Sequence, residues 1–251
     1  MSADHGTPVF RGSGGQYDVG IERYGGGIYD TMEELATLKA MFATPDLFWR
    51  FYRERKERQE ELQFCLHQGY YDLLSLTKRW VKADKRVDII TTNSDGAFYA
   101  AGFDCPVLEM HGSLNYHQCT KSSCSQEPWS VMSENFTPDA ECPKCGSRAR
   151  PNIFLFDDLY YTPNATNKSN LYMSRYHYDS GSVGILIGAG TTIPTLINKA
   201  NKIISAGGRV MVINPDCDGL VDHERLGWLR GGAEEQLHSI FLKVMSREGF
   251  C

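Results

Sequence analysis

The chain has 251 residues, 41% of them hydrophobic, 12% aromatic and 23% charged, the make-up of an ordinary globular protein. Its 26 Lys and Arg against 31 Asp and Glu leave a net charge of -5, which disfavours direct nucleic-acid binding. No apolar run reaches the ~18–20 residues of a membrane-spanning helix. The stretch from Val183 to Ile197 comes nearest and is broken by glycines, threonines and Pro194, and the opening Met1–Gly6 lacks the basic and apolar stretches of a secretory leader. A soluble intracellular chain, cytoplasmic and without a membrane partner, is expected.

Residues 1–30 are glycine-rich and read as a long loop. Thr31–Lys39 reads as one helix, with Thr31 as N-cap and Glu33 and Glu34 in its first turn. A second helix starts after Pro45-Asp46 and runs through Leu47, Phe48, Phe51 and Tyr52 towards Leu62. Arg50, Arg53, Arg55, Lys56 and Arg58 crowd it, and most of these charges read as a solvated face pairing with Glu54, Glu57, Glu60 and Glu61. Gly69–Val81 reads as a third helix.

Arg86–Asn93 is a β-branched run ending in polar residues, the pattern of a buried parallel strand whose carboxyl end opens onto a site. A short helix over Phe98–Ala101 is stopped by Gly102, and Pro106–Met110 is the next strand, with His111-Gly112-Ser113 at its tip. Ile153–Phe156 reads as a strand, followed by a polar loop with Asn164, Asn167 and Asn170. Strand Ser182–Gly188, helix Pro194–Ser205, strand Arg209–Asn214 and helix Ala233–Met245 complete the chain. Such alternation is the grammar of an open α/β sheet that binds a nucleotide at its strand carboxyl ends.

Four of the eight cysteines cluster: Cys119 and Cys124 have four residues between them, Cys142 and Cys145 two, and seventeen separate the pairs. Two short-spaced pairs at that distance fit a zinc ribbon in which four thiolates close a tetrahedron. Pro143-Lys144 and Gly146 supply the knuckle turn. The alternatives are reduced thiols without metal or two local disulfides, the latter belonging mainly to small secreted chains. A site of four cysteines is closed and therefore structural, so the zinc takes no catalytic role.

Gly188-Ala189-Gly190-Thr191-Thr192 follows a strand and precedes a helix, where bare backbone and a helix N-terminus suit a phosphate or an adenosine; a simple chain turn is the alternative. Asn214, at the end of its strand, either bonds a ribose hydroxyl or caps the strand.

In order along the chain, these motifs resemble the sirtuin family of NAD-dependent protein deacylases. Ser2-Ala-Asp-His-Gly-Thr-Pro-Val-Phe10-Arg11-Gly12 is similar to the cofactor loop G-A-G-x-S-x-x-S-G-I-P-D-F-R-G, and Thr92-Asn93-Ser94-Asp95 to Q-N-I-D. Leu108–Leu114 resembles the block around the catalytic histidine, with the cysteines following it, and Arg150–Asp158 resembles R-P-x-V-V-x-F-G-E, which pairs with the substrate peptide. Gly188 to Pro194, Asn214 and Gly231-Gly232-Ala233 resemble adenosine-binding positions.

The resemblance implies a Rossmann-like parallel-sheet lobe over residues 1–15, 73–113 and 151–251, a helical insert over 16–72 and a zinc-binding module over 114–150. It implies two cofactors, NAD and zinc, and acylated protein lysines as partners. Asp95 would hold the nicotinamide carboxamide, Asn93 would position ribose and water, and Phe10 would shield the reacting ribose. The acyl oxygen would attack the anomeric carbon while His111, an imidazole titrating near neutral pH, acts as general base. Ser2, Ala3, Arg11, Thr92, Gly188, Gly190, Thr191, Asn214 and Ala233 would complete the cofactor site, and Ile153 and Phe156 the peptide site. Tyr52 and Arg55 stand at the Tyr-x-x-Arg spacing of the sirtuins that remove succinyl, malonyl and glutaryl groups. Residues three apart share a helix face, so a phenol and a guanidinium converge on one carboxylate. The alternative is a solvated Arg55 beside a packed Tyr52 ring.

Several positions depart from the family pattern. Met1 falls on the x of G-A-G-x-S, so either the sequence is a truncated reading of a longer gene or the chain is expected to lack the diphosphate-cradling glycines and the strand before them. His5, Thr7, Val9, Thr92 and Ser94 replace family residues, and the segment from Gly188 to Pro194 is short. Asp157 replaces the glycine of F-G-E, which stiffens the substrate loop. The departures at Val9, Thr92 and Ser94 keep open a mono-ADP-ribosyltransferase or NAD glycohydrolase. The missing strand keeps open a catalytically impaired nucleotide-binding protein.

Overall fold

The structure, a computed structural model, describes residues 21–24, 27–189, 194–215 and 223–247. Thr31–Lys39 is two short helices, Met32–Leu35 and Leu38–Ala43, where one was expected. Thr31 caps the first, its hydroxyl accepting the Glu34 amide at 3.3 Å. Thr37 caps the second, accepting the Ala40 amide at 3.0 Å. The extended backbone a cap requires breaks the helix between them (φ -128, ψ 159 at Thr37).

The long helix Pro45–Gln63 lies where the apolar spacing puts it. Phe48, Trp49, Phe51 and Tyr52 pack against Met32, Leu35 and Met41, and this core continues into Leu114, Phe136, Ile153 and Leu155. The reading of its charges as a solvated face fails at Lys56, which is buried. Its ammonium donates to Asn115 Oδ1 at 2.8 Å and pairs with Glu60 at 3.2 Å, so tertiary partners replace water. Helix Gln68–Lys82 is capped by His67 and packs Tyr70 and Leu73 against Ala233 and Leu237 of the last helix, Ala233–Arg247.

Parallel strands are present as expected, divided among the described residues into two sheets. β1 (Ile89–Thr91) pairs with β2 (Val107–Glu109), and β6 (Val183–Ile187) with β7 (Arg209–Ile213), which pairs in turn with β8 (Leu226–Leu229). Ile89, Val107, Ile185, Ile187 and Ile213 share one hydrophobic cluster, which joins the two sheets into one lobe. Helix Thr195–Ser205 covers β6 and β7 through Ile197, Ala200 and Ile203.

Between these sheets in sequence lies an antiparallel sheet of order β4-β3-β5, built from Trp129–Ser130, Gly112–Cys119 and Ala149–Ile153. The sequence pattern puts a strand over Ile153–Phe156, whereas the observed strand runs over Ala149–Ile153. The Arg150 guanidinium takes the Ile153 carbonyl at 3.2 Å and the buried Asp158 carboxylate at 2.5 Å, which folds the chain back out of the ladder. The polar stretch after it contains a helix, Ala165–Asn170, capped by Asn164. Asn167 accepts the Glu109 amide and donates to the Glu109 carbonyl, both at 3.0 Å, and Asn170 donates to the Val107 carbonyl at 2.9 Å. Among the described residues no helix is long and apolar enough to cross a membrane.

Candidate active site

The carboxyl ends of β1 and β2 meet at one place. The Met110 amide donates to the Thr91 carbonyl at 2.8 Å, which sets His111 beside the 92–96 loop. Burial lowers the His111 imidazole pKa, and a hydrogen bond from the ring to the Thr92 backbone raises it by less, so the ring is held below its ordinary value. A donor committed on one ring nitrogen leaves the other as an acceptor, the form a general base needs. Gly112 follows with φ +84, and a Cβ there would lie 2.0 Å from the Asn152 carbonyl oxygen. The turn from β2 into β3 at His111 therefore requires glycine.

The loop with Asn93 and Asp95 is held from several sides. Thr91 Oγ1 accepts the Asn93 amide at 3.0 Å, and the Ser94 carbonyl accepts the Leu114 amide at 3.1 Å. The Asp95 carboxylate accepts the Ala97 amide at 3.1 Å, and the Asp95 carbonyl accepts from Gln63 Nε2 at 3.1 Å. Glu109, at the end of β2, takes the Gly96 amide at 3.2 Å. Burial first, and then the neighbouring Asp95 charge, push the Glu109 carboxyl up to about 8. Glu109 and Gln63 were missed in the sequence reading; the available signal was a carboxyl in an apolar strand two residues before His111.

The Phe154 amide donates to the His111 carbonyl at 2.9 Å, so the segment after β5 runs beside the histidine with Phe154 and Phe156 half exposed. The side chain of Ile153, named with Phe156 as a peptide-site residue, is buried in the same core as Tyr52. Tyr52 packs on Phe48 and Phe51, with ring centroids 4.7 and 4.8 Å away. The Arg55 guanidinium lies 4.5 Å from the Phe51 ring.

A second group gathers at the ends of β6 and β7. Asn214 donates through Nδ2 to the Ala189 carbonyl at 3.1 Å, and the Gly188 amide donates to the Ile213 carbonyl at 2.9 Å. Ala233 opens the last helix from within the core. Ser2, Ala3, Phe10, Arg11, Gly190 and Thr191 lie outside the described residues.

The four cysteine sulfurs lie within 4.8 Å of one another, with Cys119 and Cys145 3.6 Å apart and Cys124 and Cys142 3.8 Å apart. Thiolates about 2.3 Å from a central zinc in a tetrahedron stand ~3.8 Å from each other, so the cluster is compatible with zinc. The Lys121 amide points at Cys119 Sγ at 3.3 Å, and Gly146 turns the second knuckle with φ +67.

Parallel strands carrying a histidine at their carboxyl ends, joined to a four-cysteine module, define an α/β protein with a zinc-ribbon insert. Residues 1–192 match the Sir2 family, and the chain belongs to it. An NAD-dependent protein deacylase of Leptospira interrogans serogroup Icterohaemorrhagiae serovar Lai is 27% identical over 246 residues, 98% of this chain and 89% of that protein. NAD-dependent protein deacylase 1 of Archaeoglobus fulgidus is 29% identical over 217 residues, 86% of this chain and 78% of that one. A crystal structure of a Sir2 homologue in complex with NAD is 25% identical with a TM-score of 0.70, covering 100% of this chain and 87% of that one.

Proposed function

We propose that the chain is an NAD-dependent protein-lysine deacylase with His111 as its general base. The observation that carries this reading is the junction of His111, the clamped Asn93–Asp95 loop and the Phe154 segment at one pair of strand ends. The residues fit the cofactor chemically: Asn93 and Asp95 offer polar groups on a rigid loop, and Gly188, Ala189 and Asn214 offer backbone and amide groups at the neighbouring strand ends. Held by these residues, NAD would supply an electrophilic ribose carbon to the acyl oxygen and nicotinamide as the leaving group. Asp95 orients the carboxamide, Asn93 positions ribose and water, and His111 takes a proton from a ribose hydroxyl through its unprotonated nitrogen. Phe154 and Phe156, half exposed on the segment that runs beside the histidine, offer apolar surface to the acylated peptide. Thiolate ligands that must stay reduced support an intracellular, cytoplasmic location.

The finer reading is a preference for acidic acyl groups, supported by Tyr52 and Arg55 one turn apart on the long helix. Incubation with NAD and an acyl-lysine peptide, followed by mass spectrometry, tests the reaction. O-acyl-ADP-ribose is the expected product. Free ADP-ribose or ADP-ribosylated protein would instead point to a glycohydrolase or transferase, and no NAD turnover to a binding protein.

A further inference from the structure

We infer that Asp157 is a positioning residue that latches the segment beside His111 onto the helical lobe. The two carboxylates after the half-exposed Phe156 diverge. Asp158 turns inward to the buried Arg150 guanidinium, and its other oxygen accepts the Tyr160 amide at 2.8 Å. Asp157 turns towards the helical lobe, where Oδ1 accepts the Leu38 amide at 2.7 Å and Oδ2 the Lys39 amide at 3.1 Å. These are the first two amides of helix Leu38–Ala43, donors with no partner inside the helix. One residue earlier, the Phe156 amide donates to the Ala36 carbonyl at 3.1 Å.

Three hydrogen bonds thus join residues 156–157 to residues 36–39. At the other end of the same segment, Phe154 is bonded to the His111 carbonyl. The short run 154–157 is therefore fixed at both ends, to the histidine turn and to the helical lobe. A glycine at 157 would leave the two helix amides to water and keep only the Phe156–Ala36 bond of the three. A two-oxygen acceptor on a short stem meets both amides at once, one oxygen to each, which is the chemistry of aspartate at this place.

The role rests on the proposed reading of this segment as substrate-facing, and the test separates the two. Hydrogen exchange of the ligand-free chain reads the latch alone. Asp157→Ala is expected to speed exchange at Leu38 and Lys39 about 3- to 30-fold, and Asp157→Asn, which keeps one acceptor, less. Peptide kinetics read the positioning. Asp157→Ala is expected to raise KM for an acylated peptide about 3- to 10-fold, more than it lowers kcat, with partial rescue in Asp157→Asn. Unchanged exchange in Asp157→Ala would overturn the latch. Faster exchange with an unchanged peptide KM would overturn the positioning role and leave a plain helix cap. A parent chain that binds no acylated peptide by fluorescence anisotropy would overturn the substrate reading and the positioning role with it, while exchange still decides the contact.

Discussion

Glu109 receives the backbone amide of Gly96 at 3.2 Å, so a buried carboxyl lies directly under the loop that carries Asp95. A carboxyl that titrates at about 8 instead of 4.5 keeps its proton in the folded chain and loses it in the unfolded one across that window. The folded state then binds more protons, so stability falls as pH rises from about 4.5 to about 8 and levels off above. Glu109→Gln keeps an acceptor for Gly96 and removes the titration. The variant is expected to match the parent near pH 4.5 and to exceed it increasingly towards pH 8, measured by urea midpoints across that range. Parallel pH curves for the two proteins would mean that Glu109 is not protonated in the fold.

His111→Ala is expected to fold and to lower deacylation about 100- to 10,000-fold, the usual cost of losing a general base. In the proposed mechanism nicotinamide exchange comes before the base-dependent step and should survive better. Steady-state rates with an acyl peptide, set beside exchange of labelled nicotinamide, check both statements.

The four-cysteine module predicts about one zinc per chain in protein purified without chelator. Cys142→Ser is expected to lose the metal together with the protection of β3 and β5, because forming such a site and folding around it are coupled. Metal analysis and hydrogen exchange on the same sample read the two losses.

Arg150→Met leaves the Asp158 carboxylate buried without its partner, and about 3–5 kcal/mol of stability should be lost. The double variant Arg150→Met/Asp158→Leu should recover much of that, since no unpaired charge remains. Urea denaturation of the three proteins gives the comparison.

Acyl selectivity is expected to follow Arg55. On one peptide the parent should prefer succinyl-lysine over acetyl-lysine in kcat/KM, and Arg55→Met should reduce that preference about 10- to 100-fold, the loss of a charged hydrogen bond. A parent that prefers acetyl-lysine would assign Arg55 to packing on Phe51.

Elements set by local pattern were legible in the sequence. The 45–63 and 68–82 helices and the strands around residues 90, 108, 185 and 211 follow from apolar spacing and flanking polar residues. β3 was not, because Asn115-Tyr116-His117-Gln118 has no alternation to read; its polar side chains are buried or half-buried by partners far away in sequence. The break at Thr37 was hidden for a related reason, since a threonine inside a helical pattern is also a possible cap. At the site, His111 and the cysteines announced themselves by motif and spacing. Glu109 and Gln63 did not, because each acts through a backbone group 13 or 32 residues away, and Asp157 stood out only as a departure from the family glycine, its partners lying more than a hundred residues off.

The short helix Ala165–Asn170 does to β2 what a neighbouring strand would do. Side-chain amides three residues apart, on Asn167 and Asn170, occupy the Val107 carbonyl and both backbone groups of Glu109 along the edge that β1 leaves bare. A row of open donors and acceptors is a template on which a foreign strand can add. Here two asparagines close it without lengthening the sheet, so the strand that delivers His111 stays short and has no place at Glu109 for another chain to extend it.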